Sequence, residues 1–311
     1  MRKTLILTLL FTTLFLPGLY AQNEVIQEQL PVQENESYKG LKRKVAILRF
    51  SNETQYGKGI FYDKENDPMA KQALDILSSK LASSGKFMLL ERNDLSSILE
   101  EANRNNVTPQ AIGADYVIVG SLTEFGRKNV GDAGVFRSSK EQIVEAGVNI
   151  RIVDTSTGLI IYSEEGRGKA QIKTKQTLGI GGKAGYDATL SDKAISMAIS
   201  QLVENIINNC TNKPWKAYFM AYDEDAVIIS GGESQGVKPG DNYLVMQKGK
   251  TVKNPATGIN IELPGKPVGK ISVLSTGGDT AETEYSLVTF TEGSIDKEAL
   301  SNYYIQEMNN E

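Results

Sequence analysis

Two long stretches with a period of two limit this chain more than any other feature. In 162–178 the odd positions hold Ser163, Glu165, Arg167, Lys169, Gln171, Lys173, Lys175 and Thr177, while the even ones include Tyr162, Gly166, Gly168, Ala170 and Ile172. In 142–153, Val144, Ala146, Val148, Ile150 and Ile152 alternate with Glu145, Asn149 and Arg151. Alternation over that length means a long strand whose two faces meet different surroundings. Two readings follow. In one, the small and apolar face lies on a protein core. In the other, it faces lipid as part of a barrel whose charged face lines a lumen. A membrane strand needs roughly 9–11 residues, and both stretches reach that length. Against the barrel, Glu164 and Gln176 interrupt the apolar face, and beyond Tyr162 large aromatics are missing from it. The stretches 121–136 and 179–191, the other legs of two hairpins, alternate poorly and are rich in glycine.

Around these stretches the pattern is α/β. Val45–Phe50 reads as a short apolar strand, followed by a polar loop over 51–66 with Tyr56, Phe61 and Tyr62. Asp67-Pro68 opens a helix, with Asp67 as cap and Pro68 where no amide is needed. Ala70, Ala73, Leu74, Leu77 and Leu81 share one side of it, and Gly85 stops it. Phe87–Leu90 is a strand, Leu95–Ala102 a helix, and the run from Ala111 to Ser121 a turn into a buried strand. A last helix over 192–208 carries a wide apolar stripe from Ile195 to Ile207, which reads as core packing. From Lys213-Pro214 onward, short strands alternate with Gly/Pro turns: 226–230, 242–247, 266–273 and 280–285. That pattern predicts a small all-β barrel over 210–311.

Composition removes whole classes of chemistry. The chain has no His, so Ser-His and Cys-His nucleophile pairs, His metal sites and imidazole acid–base steps are excluded. Its single Cys, Cys210, can form neither an intrachain disulfide nor a thiolate zinc site. The glycines at 179, 181, 182 and 185 lack the GK[ST] context of a phosphate loop. No catalytic constellation, cofactor site or metal site is expected, so the chain is not expected to be an enzyme. A net charge of -4 gives no basic excess for nucleic acid.

The amino-terminal order of Arg2-Lys3, an apolar run to Leu16, Pro17-Gly18 and Ala21 predicts a signal peptide over 1–21. The chain is therefore expected to cross the inner membrane. No Cys stands near residue 21 to carry a lipid. Residues 22–42 are polar and read as a flexible lead-in, and 43–209 as the α/β domain.

In order, Val45–Phe50, the 51–66 loop, the helix to Gly85, Leu89-Leu90-Glu91-Arg92, the run from Ala114 to Ser121, Val148–Asp154 with Thr157-Gly158, and the helix 192–208 resemble the CsgG family over roughly 43–209. The central run also occurs in TolB N-terminal-type domains. The tail, with Ile229-Ser230-Gly231-Gly232, Gly236-Val237-Lys238-Pro239-Gly240-Asp241 and Asn254–Gly258, resembles the C-terminal domain of flagellar assembly protein T. The resemblance implies an α/β domain with two β-hairpin insertions, at about 121–153 and 159–191. It implies a homo-oligomeric ring in the outer membrane, through which unfolded secreted amyloid subunits of the curli type pass without nucleotide hydrolysis. It places Tyr56, Phe61 and Tyr62 in a pore-constriction loop. If the ring closes edge to edge, Arg167, Lys169, Lys173 and Lys175 line its lumen and make it positive. The alternative is a soluble periplasmic scaffold that aids assembly of a surface structure by binding proteins. The absent lipid-bearing Cys, the short polar hairpins and the added tail depart from the channel pattern.

Overall fold

The computed structural model describes residues 40–56, 67–105, 112–133, 137–177, 189–222, 226–253, 255, 258, 260–281 and 283–308. The predicted signal peptide, the lead-in up to residue 39, Phe61 and Tyr62 lie outside the described residues. Three helices and five strands make the first domain: β1 (Arg43–Asn52), α1 (Pro68–Ser83), β2 (Phe87–Leu90), α2 (Leu95–Arg104), β3 (Tyr116–Ala133), β4 (Arg137–Asp154), β5 (Ile160–Thr177) and α3 (Thr189–Thr211). The sheet order is β2-β1-β3-β4-β5. β1 pairs in parallel with β2 and β3, which requires the helical crossovers. β3, β4 and β5 follow as an antiparallel meander.

The start of α1 is fixed locally. Asp67 accepts from the backbone amides of Met69 (2.9 Å) and Ala70 (2.8 Å), and its second oxygen accepts from Asn52 Nδ2 at 3.0 Å. Asn52 in turn accepts from the Thr54 amide and hydroxyl. This buried network ties the end of β1 to the head of α1.

The apolar stripes of α1 and α3 close over one face of the sheet. Leu77 and Leu81 meet Val45, Ile47, Ile118 and Leu122. Ile195, Ile199, Leu202 and Ile206 meet Val144, Val148, Ile150 and Ile152. Each such side chain, fully buried, contributes about 1.5–3 kcal/mol. The small face of β5 belongs to this layer. A Cβ at Gly166 would lie 2.3 Å from the Ala198 carbonyl oxygen, and one at Gly168 1.9 Å from that of Ala194. The glycines therefore let a helix backbone lie directly on a strand. Over 164–172 the small face is turned to the chain's own helix, not to lipid.

The second expected hairpin differs from 159–191. Its first leg is β5, but 189–191 already form the first residues of α3, so the helix starts three residues before 192. Residues 178–188 lie outside the described residues. The first hairpin is β3–β4, running from Tyr116, with its tip at 134–136 undescribed.

The second domain is a seven-stranded sheet in the order β6-β14-β9-β12-β13-β8-β7. The strands are β6 (Lys216–Ala217), β7 (Phe219–Tyr222), β8 (Val227–Ser230), β9 (Asn242–Gln247), β12 (Lys266–Gly277), β13 (Tyr285–Gly293) and β14 (Tyr303–Glu307). Between β9 and β12 a separate hairpin is made by β10 (Thr251–Lys253) and β11 (Asn260–Glu262). The terminal strands β6 and β7 are separated only by Tyr218, so the sheet must curl until its ends nearly meet. Trp215, Ile229, Val245, Ile271, Val288 and Ile305 fill it. The expected strand at 280–285 is instead a turn. Thr283 N donates to Thr280 O at 3.0 Å and the two hydroxyls pair, so the strand begins only at Tyr285.

The last lead-in residues are not loose. Leu41 is buried in the barrel core, and Lys42 N donates to Gln235 O at 2.8 Å. Arg43, which opens β1, donates to Leu41 O (3.0 Å), to Lys213 O (2.9 Å) and to the Glu307 carboxylate. Glu307 also accepts from Trp215 N at 2.7 Å. At the same junction Lys213 pairs with Asp154, which is 3% exposed. Burial pushes the Asp154 carboxyl up, but hydrogen bonds from Lys213 and Ser156 outweigh it and hold the group below the usual carboxylate range. Burial also pushes the Cys210 thiol up to about 12, which leaves it protonated and inert.

Two outcomes follow. Gly168→Ala should cost about 1–3 kcal/mol by overpacking in urea unfolding, whereas Gly126→Ala, with open space around it, should be near neutral. Asp154→Asn should cost about 1–3 kcal/mol at neutral pH. A depressed folded value means that the pairing stabilises in full above the ordinary carboxylate range and is lost as pH falls through the lowered value. The difference between wild type and variant in unfolding midpoint should therefore shrink on acidification.

Candidate functional site: the sheet wall β3–β5

Each strand of the meander has 18 residues, and the pairing puts partners on shared faces. Phe125, Ala146 and Gly168 line up across the three strands, as do Arg127, Val144 and Ala170. Both rows face α3. Between them in register lie Glu124, Gly147 and Arg167, then Gly126, Glu145 and Lys169, and farther out Val130, Glu141 and Lys173. These rows face away from the helices.

The outer face is wet and charged, but it is not the positive strip expected from 167–175. Arg167 reaches Glu165 (3.1 Å) and Glu124 (3.3 Å). Lys169 pairs with Glu145 and Lys173 with Glu141, each at 3.4 Å. Opposite charges directly across strands stabilise the pairing and cancel the field. Lys175 lies in β5, and its side chain is outside the described residues. The acids were not singled out in the sequence because their partners lie on another strand, and cross-strand register is not visible in one dimension.

Tyr56 sits on the other side. Its ring packs on Phe125 with centroids 4.8 Å apart, and the Arg127 guanidinium lies over it at 4.7 Å. Arg127 also donates to Ser191 Oγ of α3 at 2.9 Å. The structure thus holds Tyr56 against the helix face of β3, while Arg167, Lys169 and Lys173 occupy the opposite face, and it does not bring the two sets together. Phe125 and Arg127 were missed because β3 has a bulge at Thr123. Leu122 pairs with Val148 and Glu124 with Gly147, so the parity of the strand flips there. The signal was Gly147, a glycine inside an alternating strand. A Cβ at Gly147 would lie 2.9 Å from Thr123 Oγ1.

Among the described residues no strand pairs with the outer edge of β5, and none pairs with β3 beyond Leu122 on the β1 side. One outward amide of β5 is occupied: Arg167 N donates to Gln201 Oε1 at 3.0 Å. A cleft of about 540 Å³ also lies where the two domains meet. Three of its cations meet acids there, Arg43 with Glu307, Lys44 with Asp115 and Lys213 with Asp154, while the Lys216 ammonium lies over the Tyr304 ring at 4.7 Å. Tyr116 lines it, with its hydroxyl pushed up to about 12, first by burial and then by Cys210 and Asp154. No helix among the described residues is long and apolar enough to cross a membrane, which says nothing about strands.

The family model of the curli production assembly/transport component CsgG matches residues 27–240. A Neisseria meningitidis serogroup B protein named "Putative lipoprotein NMB1126/NMB1164" is 35% identical over 185 residues, covering 58% of this chain and 82% of its own. Among solved structures, the PelC dodecamer from Paraburkholderia phytofirmans is 21% identical, with 58% of this chain and 96% of that chain covered at a TM-score of 0.26. Lipoprotein GNA1162 from Neisseria meningitidis is 15% identical, with 53% and 99% covered at a TM-score of 0.27. Structural likenesses this low carry nothing further. The match to the family model extends over most of the chain, from the lead-in through the α/β domain and into the barrel, and the chain belongs to the CsgG family.

Proposed function

We propose that the protein is a ring-forming component of outer-membrane secretion and assembly, of the curli type, that passes or guides unfolded secreted subunits without doing chemistry on them. One observation carries this reading. The meander presents two long strand edges that are open among the described residues, one along β5 and one along β3 beyond Leu122. Open edges invite pairing. Joining the β5 edge of one copy to the β3 edge of the next is a head-to-tail contact, and such contacts generate rings when the rotation closes. The charged rows of β3–β5 then form a continuous wet wall. Because Arg167, Lys169 and Lys173 each meet an acid, the wall is near neutral and takes chains of either sign. Tyr56 lies on the other face of the sheet from this wall, so the aromatic constriction of this reading falls to Phe61 and Tyr62, outside the described residues.

One observation favours the second reading, a soluble periplasmic scaffold. α3 covers the small face of β5 as far as about Ala170. Only the last few described residues, 173–177, extend past it, against the roughly 9–11 that a membrane strand needs. In that case the ring or monomer stands beside the membrane and binds assembly partners.

Negative-stain imaging in detergent and planar-bilayer recording separate the two. The channel reading expects closed rings with weakly ion-selective conductance, which Phe61→Ala raises. Rings without conductance would favour the scaffold. A monomer at every concentration would remove the ring.

A further inference from the structure

The hairpin β10–β11 stands apart from the barrel that carries it. It forms its own two-stranded sheet between the end of β9 and the start of β12. Val252 lies directly opposite Ile261, and Leu263 N donates to Lys250 O at 3.0 Å. Side chains two apart on a strand share a face, so Val252, Ile261 and Leu263 form one apolar face. They are 42%, 44% and 43% exposed. A three-residue hairpin that buried this face against the barrel would gain stability from it. Here each of the three stays more than two-fifths exposed.

The charge around it is one-sided. Residues 248–266 hold four lysines, at 248, 250, 253 and 266, and a single acid, Glu262. All four lysines are exposed, and none is in an ion pair with a described side chain; that of Glu262 lies outside the described residues. On the β3–β5 wall, by contrast, Arg167, Lys169 and Lys173 each meet an acid, and at the domain junction Arg43, Lys44 and Lys213 do.

From this pairing of an exposed apolar face with unmatched lysines, we infer that the β10–β11 hairpin is a docking arm for an anionic lipid surface. The apolar side chains enter the boundary between headgroups and acyl chains. The lysines reach back to phosphate groups with their alkyl stems alongside. The arm needs only headgroup depth, so its backbone groups stay hydrated and the rule against open strand edges in hydrocarbon is respected. A soluble acidic polymer would use the lysines but gain nothing from Val252, Ile261 and Leu263. The arm belongs to the barrel and acts whether or not the β3–β5 edges close a ring.

The test is co-sedimentation of the full chain with extruded vesicles of phosphatidylcholine, with and without phosphatidylglycerol, at low and high salt. Each lysine at an anionic surface contributes about fivefold in partitioning. The protein should partition to the anionic vesicles and be released by salt. Val252→Asn with Ile261→Asn, and separately Lys250→Gln with Lys253→Gln, should each lower partitioning about tenfold or more while thermal unfolding stays unchanged. Four results would overturn the inference. The wild type binds neither vesicle. It binds the neutral vesicles equally well. Both double variants bind like wild type, which would assign membrane contact to another part of the chain. Or the lysine pair matters, the apolar pair does not, and soluble polyglutamate displaces the protein, which would make the arm a site for acidic polymers.

Discussion

The contact on which the rest depends is the backbone-to-backbone approach of α3 to β5. Gly166 and Gly168 leave no side chain between strand and helix, so the carbonyls of Ala198 and Ala194 lie where a Cβ would be. That approach draws Ile195, Ile199 and Leu202 onto the β4 row of Val144, Val148 and Ile150. It decides which face of an 18-residue strand is dry. The opposite face is thereby committed to water, and its charges satisfy one another across the strands. A lipid-facing role for the small face is removed over 164–172 by the same contact.

A second constraint acts at the junction of the domains. Arg43 opens the first strand of one domain, and Glu307 lies in the last strand of the other. They meet along with Leu41, which fills the barrel core. Asp154 and Lys213 close the same joint from the end of β4. The barrel is thus fixed at the end of the meander where β4 stops and β5 begins, far from the hairpin tip between β3 and β4. In a ring built from the sheet edges, the barrels would stand as a collar on the side opposite that tip, and the β10–β11 arm would travel with that collar.

The elements with one buried face were legible. Asp67-Pro68 marked the head of α1 because the cap and the proline act within one turn. Phe87–Leu90 and Asn242–Gln247 fall where the apolar runs put them. Where the sequence was read less well, a single local feature explains the difference. The bulge at Thr123 flips the parity of β3, and that is why 121–136 alternates poorly in the sequence. Thr280 and Thr283 have the residue type of a strand but bond to each other across a turn. Leu41 looked like part of a polar arm because its partners lie nearly two hundred residues away or more, in the barrel.

The amino-acid sequence by itself determined the absence of imidazole chemistry, the α/β-then-β order, the family, and the two-faced nature of 162–178. Those depend on residue type and on periods of two and 3.6, which are local. Only the tertiary structure decided what each face meets, that the lysines at 169 and 173 are neutralised by glutamates on a neighbouring strand, and that Tyr56 rests on the far side of the sheet from them. These are matters of register and layer, set by which strands pair and which helix covers them, and residue order does not carry that information without the fold.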